Sequence, residues 1–212
     1  EVNGAQAAAA GAEIVLLAVP PAQIGALELT CPKALVISVM AGVTVDQITT
    51  IAGSQRVIRA MCSPSALDGL AYTPWFASGS VSDVDRTMAR ALFTRLGTTD
   101  EVFEESLIDM FTALTGPVPG ILAEVARALI AYAVGKGTSP EVADRAVRQL
   151  FLASGQVLAH EKASAGDHVQ QMLDYDGTTA AALESLRASP MEQALADAMV
   201  QSASGNGLEV RI

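Results

Sequence analysis

Three continuous apolar runs near the start of the chain predict buried β-strands. They are AEIVLLAVP (residues 12–20), ALVISVMAG (residues 34–42) and QRVIRAMC (residues 55–62). None alternates between apolar and polar positions, and such runs are typical of strands covered on both faces of a parallel sheet. Between the second and third runs, Thr44 and Gln47 form a capping-box pattern, and Gly53 can end the short helix that they begin. The sequence therefore predicts a βαβ unit.

Beyond residue 80 the apolar positions take a helical spacing. The segment SDVDRTMARALFTRLG (residues 82–97) begins with a cap residue and ends at glycine, and TTDEVF (residues 98–103) predicts a brief strand. Ser139 and Pro140 mark another helix start, with proline at the first helical position. The later helices are rich in alanine and carry apolar side chains on more than one side. This pattern fits either a buried helix of a monomeric bundle or a helix between subunits.

Charge and cysteine content narrow the classes of partner and compartment. The 212 residues carry a formal net charge of −10 without a basic cluster, so we predict neither a nucleic acid nor a membrane surface as a partner. The most apolar segment, residues 121–134, includes Glu124 and Arg127 and is shorter than the roughly 20 residues of a membrane span. Cys31 and Cys62 do not form a disulfide framework, and we expect a cytoplasmic protein.

Three further features favour plain interpretations when only residue types are considered. The spacing around His160 and His168 matches no standard metal site, so we predict no metal. Cys62 has no neighbouring histidine and on its own is more typical of a small core residue than of a nucleophile. The chain opens with Glu1 and lacks the basic region of a signal peptide, and we expect that this opening is not the native start.

Five stretches, in the same order and at matching spacing, carry a resemblance to a known family. They read AEIVLLAVPPAQ (residues 12–23), ALVISVMAGVTVDQI (residues 34–48), RVIRAMCSPSAL (residues 56–67), ESLIDMFTALTGPVPG (residues 105–120) and DGTTAAALESL (residues 176–186). Each is short, but the ordered set resembles the pyrroline-5-carboxylate reductase family across nearly all 212 residues.

The resemblance implies a Rossmann-type α/β domain followed by an all-α dimerisation domain. We expect residues 1–100 to form the dinucleotide-binding domain, without its front part and the G-x-G-x-x-G turn, and residues 101–212 to form the helical dimerisation and substrate domain. The family reduces a cyclic imine to proline with NADPH or NADH. The resemblance thus implies NADP(H) or NAD(H) as cofactor, a small-molecule substrate and a homo-oligomer of two or more chains.

The family motifs also assign candidate site residues. Those implied to bind the cofactor are Ala18, Val19, Pro20, Met40, Ala41, Met61, Cys62 and Ser63. Those implied to bind the substrate are Glu105, Gly116, Gly177, Thr178 and Thr179. The hydroxyl of Thr179 is implied to bond the ring nitrogen of the substrate, which makes it the candidate catalytic residue. On residue type alone, threonines after a glycine are more often a helix cap.

Several positions depart from the family pattern. Pro20 replaces a lysine, Ser63 replaces an asparagine, and Pro117 stands where the family has a flexible glycine-rich segment. Asp174 and Asp176 place two carboxylates beside the turn implied to receive the substrate's carboxylate. We therefore expect weak activity on pyrroline-5-carboxylate and better tolerance of a neutral or cationic imine. Another NAD(P)-dependent dehydrogenase or imine reductase of the same fold, and a non-catalytic oligomeric homologue, remain the alternatives.

Overall fold

Apolar strands build a five-stranded sheet in a computed structural model that describes residues 4–205. The strands are β1 (Ile14–Leu17), β2 (Leu35–Ser38), β3 (Val57–Ala60), β4 (Ala71–Ala77) and β5 (Gly97–Glu101). They lie side by side in chain order. The pairs β1–β2, β2–β3 and β4–β5 are parallel, whereas β4 runs antiparallel to β3. The three strands predicted from apolar runs, their parallel arrangement and the brief strand near residue 98 are confirmed.

Helices account for most of the rest of the described residues. They are α1 (Ala5–Ala9), α2 (Val45–Ala52), α3 (Asp83–Thr94), α4 (Ser106–Thr115), α5 (Pro117–Gly135), α6 (Pro140–His160), α7 (Ala165–Asp174), α8 (Thr178–Arg187) and α9 (Met191–Gly205). Two short 3₁₀ helices, Pro21–Ala26 and Pro64–Asp68, follow β1 and β3.

The predicted helix ends are confirmed at α2. The hydroxyl of Thr44 accepts a hydrogen bond from the backbone N–H of Gln47, and the Gln47 side chain accepts from the backbone N–H of Thr44. Gly53 ends the helix with φ of 67°, a left-handed conformation that costs glycine little. Ser82 caps α3 and Ser139 caps α6, also as predicted. The local sequence therefore sets where these helices begin.

The central strands β2 and β3 are buried on both faces, which explains why they lack alternation, whereas β1 leaves Ile14 and Leu16 exposed. One face packs side chains such as Val36 and Val57 against Ile48 of α2. The opposite face packs residues such as Ile58 and Trp75 against α3. This burial holds the strand ends, and the loops that leave them, in fixed positions.

By their contacts, the described residues form two compact units. One contains the sheet and runs to Pro117, with the chain from Met199 added, and the other is Val118–Ala198. Helix α4 therefore belongs with the sheet, although its sequence pattern resembled that of the later helices. The domain division at residue 100 stays a prediction.

The single chain leaves much apolar surface of its helices exposed. The run Ser106–Gly135 is long and apolar enough to cross a membrane by length and composition alone, which residues 121–134 by themselves did not suggest. Leu122, Leu129 and Tyr132 on α5 are among the exposed side chains. A helix with such a surface needs an apolar partner, and the expectation of a protein without membrane contact stays a prediction.

Candidate active site

The loops that follow β1, β2 and β3 leave the same edge of the sheet, because these strands are parallel. All the predicted cofactor residues lie in these loops: Ala18, Val19 and Pro20 after β1, Met40 and Ala41 after β2, and Met61, Cys62 and Ser63 after β3. Met40 differs from the others, because its side chain is buried in the core. Its size therefore adds to packing inside the sheet domain.

The loop after β3 is tied to the neighbouring strand by Ser63. The backbone N–H of Ser63 donates to Tyr72 O at 3.2 Å, and the N–H of Tyr72 donates to Ser63 Oγ at 3.1 Å. The serine thus extends the antiparallel pairing of β3 and β4 past the end of β3. Its hydroxyl hydrogen is still able to donate to a ligand.

A cavity of about 410 Å³ opens beside this loop within the sheet-containing unit. Met61, Cys62 and Pro64 line it from the loop, and Thr112 and Gly116 line it from the end of α4. Two predicted cofactor residues and one predicted substrate residue therefore share one cavity. The Cys62 side chain is partly exposed here, so the interpretation of Cys62 as a core residue is wrong.

A buried arginine connects the strand behind this loop to α4. Arg59 on β3 is 2% exposed, and its guanidinium donates to Glu105 Oε1 at 2.7 Å and to Asp109 Oδ1 at 2.8 Å. Glu105 Oε1 also accepts from the N–H of Val45 at the start of α2. Glu105, a predicted substrate residue, therefore holds three elements together. The sequence pattern did not predict this network, although an arginine inside an otherwise apolar strand was a visible sign of it.

In the second unit, a turn with unusual backbone angles precedes α8. Gly177 is the N-cap residue with φ of 97°, and Asp176 has φ of 64°, which is rare for a residue with a side chain. Asp176 Oδ1 accepts from the N–H of Gly177 at 2.7 Å. Thr178 and Thr179 are the first helical residues, so the interpretation of these threonines as the helix cap is wrong. The resemblance implied that this turn receives the substrate carboxylate, and one of its N–H groups, that of Gly177, is bonded to a carboxylate of the chain itself.

Thr179 lies on a second pocket, which belongs to the helical unit alone. Its volume is about 320 Å³, and the residues around it are His168, Gln171, Met172, Tyr175 and Thr179. In the sequence, the spacing around His168 bears only on a metal site. The position of His168 beside Thr179 depends on how α7 packs against α8, which the sequence pattern did not reveal.

Comparison with known proteins identifies relatives along almost the whole chain. Residues 105–206 match the family model for pyrroline-5-carboxylate reductase dimerisation. The pyrroline-5-carboxylate reductase of Thermus thermophilus is 32% identical over 206 residues, which cover 94% of this chain and 76% of that protein. The one from Pseudomonas aeruginosa is 26% identical and covers 96% and 76%. The chain thus spans about three quarters of the length of these two relatives.

Solved structures show the same fold. A pyrroline-5-carboxylate reductase from Coxiella burnetii has a TM-score of 0.84 at 23% identity, over 99% of this chain and 81% of that one. The Plasmodium falciparum pyrroline carboxylate reductase with NADP bound has a TM-score of 0.81 at 20% identity, over 97% and 80%. The prediction of a Rossmann-type domain followed by a helical dimerisation domain is therefore confirmed.

Proposed function

Because the chain belongs to the pyrroline-5-carboxylate reductase family, we propose that it reduces pyrroline-5-carboxylate to proline with NADPH or NADH. The observation that carries this proposal is the 32% identity to the Thermus thermophilus reductase over 94% of the chain. The substrate is inferred from the name of this relative. The arrangement of the three loops at one sheet edge supports the use of a dinucleotide.

The residues at the strand exits fit a dinucleotide. Ala18 is exposed and Ala41 partly exposed, and neither carries a side chain beyond Cβ that would keep a cofactor away from the backbone. Met61 and Cys62 line the cavity beside the third loop and supply an apolar wall for a flat ring. When bound, the cofactor supplies the hydride for reduction of the C=N bond.

The chain's own residues have to orient the substrate and exclude water. We propose that the hydroxyl of Thr179 bonds the ring nitrogen and so fixes the face of the imine that is exposed to the hydride. A protein acid is not required, because the imine can arrive protonated. The apolar walls of the cavity in the sheet-containing unit, such as Pro64 and Met61, keep water from the cofactor ring.

We propose a homodimer or a larger homo-oligomer as the active form, in the cytoplasm. The match to the dimerisation family covers the helices from residue 105 to residue 206 and supports this assembly. The exposed apolar side chains of α5 and α6, such as Leu129 and Leu150, suit burial against a second copy. Such burial would also account for a helical run that has the composition of a membrane span.

Asp174 and Asp176 favour a modified substrate preference. Both side chains are exposed, and each weakens the binding of an anion nearby by up to about 1 kcal/mol. We propose that pyrroline-5-carboxylate is a weak substrate, and that a neutral or cationic imine is the second candidate. Measuring NADPH oxidation with pyrroline-5-carboxylate and with 1-pyrroline, which lacks the carboxylate, tests the two. If the protein reduces neither compound, the result would favour a non-catalytic homologue.

A further inference from the structure

The pocket between α7 and α8 places a histidine beside the threonine that we propose binds the ring nitrogen. His168 and Thr179 both line this space of about 320 Å³, within the unit Val118–Ala198. A five-membered ring with one carboxylate is much smaller than the pocket. A substrate bonded to the Thr179 hydroxyl therefore has other polar side chains of the pocket within reach.

One nitrogen of His168 is left without a hydrogen bond by the fold. The side chain is 11% exposed, and its Nε2 atom is buried with no hydrogen-bond partner among the described residues. Glu161 Oε2 lies 3.5 Å away, but that side chain is 56% exposed and forms no hydrogen bond with the ring. A buried polar atom without a partner costs about 1–3 kcal/mol. A ligand that supplies an acceptor would remove this cost.

A side-chain donor would replace a backbone donor that this chain has already used. The family resemblance assigned the carboxylate to the backbone N–H groups of the turn formed by Gly177, Thr178 and Thr179, and the first of these already donates to Asp176 Oδ1 at 2.7 Å. Among the side chains that line the pocket, His168 offers a buried nitrogen without a hydrogen-bond partner, whereas Gln171 and Tyr175 are exposed. A hydrogen bond to a charged group is stronger than one between neutral groups.

We propose, resting on the function proposed above, that His168 Nε2 donates a hydrogen bond to the carboxylate of the imine substrate. His168 is then a substrate-binding residue that contacts the carboxylate of an anionic ring. It offsets part of the repulsion from Asp174 and Asp176.

Three substitutions separate the hydrogen bond from the bulk of the ring. His168→Gln keeps an N–H near the position of Nε2, His168→Asn does not reach it, and His168→Leu removes the donor. With pyrroline-5-carboxylate, we expect KM to rise at least about tenfold in the Asn and Leu variants, which corresponds to about 1.4 kcal/mol. We expect kcat to stay within about threefold, and the Gln variant to retain most of the affinity.

Two controls separate carboxylate binding from a structural role. With 1-pyrroline, the three variants should keep the wild-type KM, because that ring has no carboxylate. Glu161→Gln should not raise KM for pyrroline-5-carboxylate. Three outcomes would each overturn the proposal. KM for pyrroline-5-carboxylate could be equal in all variants, KM could rise equally for both substrates, or Glu161→Gln could raise KM as much as the His168 variants do.

Calorimetric titration with L-proline, the expected product, tests binding without turnover. Proline should bind the wild type and lose at least about tenfold in affinity in His168→Leu. If the His168→Leu variant binds proline as tightly as the wild type does, the role of His168 is refuted and the reductase function still stands. A wild type that neither reduces pyrroline-5-carboxylate nor binds proline refutes both.

Discussion

Replacing Arg59 by methionine should destabilise the protein more than any exposed ion pair could. The guanidinium is 2% exposed and lies 2.7 Å from Glu105 Oε1 and 2.8 Å from Asp109 Oδ1. Methionine fills similar space but leaves two partly buried carboxylates, one at the N-cap of α4 and one in its first turn, without a cation. Breaking a buried pair in this way costs about 3–5 kcal/mol. We expect the free energy of unfolding of Arg59→Met to fall by that amount.

The matched control is Arg148→Met on α6. Arg148 is also 2.7 Å from its carboxylate partner, Asp144, but its side chain is 75% exposed. Exposed pairs four residues apart on a helix contribute about 0.3–0.5 kcal/mol, so this variant should unfold almost like the wild type. The shortest distance in the ion pair is thus matched, whereas the burial of the arginine and the number of its carboxylate partners differ.

Guanidinium unfolding followed by the fluorescence of Trp75, the one tryptophan of the 212 residues, measures both variants. Trp75 is buried on β4, paired with Ala60 of β3, and so reports on the strand that carries Arg59. Adding Glu105→Gln and Asp109→Asn to Arg59→Met should restore part of the loss. A loss in Arg59→Met no larger than in Arg148→Met would refute the reasoning.

Four further outcomes are expected. Arg56 holds the pKa of Asp85 at about 2, below its usual 3.8. Asp85→Asn should therefore lower the unfolding free energy near neutral pH by about 2 kcal/mol, and this difference should disappear as pH falls from about 4 to about 2. A difference that stays constant in acid titrations would contradict this. In fluorescence titrations with NADPH, Ala41→Leu should weaken binding more than Ser63→Ala, because added bulk blocks the strand exit; unchanged affinity in both would remove these loops from the site. Asp176→Gly should raise kcat/KM for pyrroline-5-carboxylate about fivefold, since about 1 kcal/mol of repulsion is removed, and should leave kcat/KM for 1-pyrroline unchanged. Steady-state rates that show no gain with pyrroline-5-carboxylate would refute this prediction. Light scattering well above micromolar concentration should give at least twice the mass of one chain, and a monomer would exclude the proposed assembly.

The parts of the fold that depend on local pattern were predictable. Thr44 and Ser82 begin helices because their hydroxyls accept backbone N–H groups three residues on, which the sequence shows directly. Strand β4 was missed, because Pro74 in its middle has no N–H to donate and proline argues against a central strand. The carbonyl of Pro74 still accepts from the N–H of Met61, so the pairing with the β3 side survives.

The site was predictable as a set of loops but not as a set of contacts. Parallel strands bring the residues after β1 to β3 to one edge, and this follows from topology alone. Arg59 meets Glu105 and Asp109 across 46 and 50 residues, and such a pairing depends on tertiary packing. The bond from Gly177 to Asp176 requires a left-handed aspartate, which residue type does not predict.

The most direct test of the proposed function is NADPH oxidation by the protein with pyrroline-5-carboxylate, with proline measured in the same reaction. We predict that each NADPH consumed yields one proline, with a kcat/KM below the roughly 10⁴ M⁻¹s⁻¹ at the lower end of ordinary enzymes. A kcat/KM above that value would contradict the proposed effect of the acidic turn. The absence of proline, with NADPH and NADH both tested, would contradict the proposed reductase function itself.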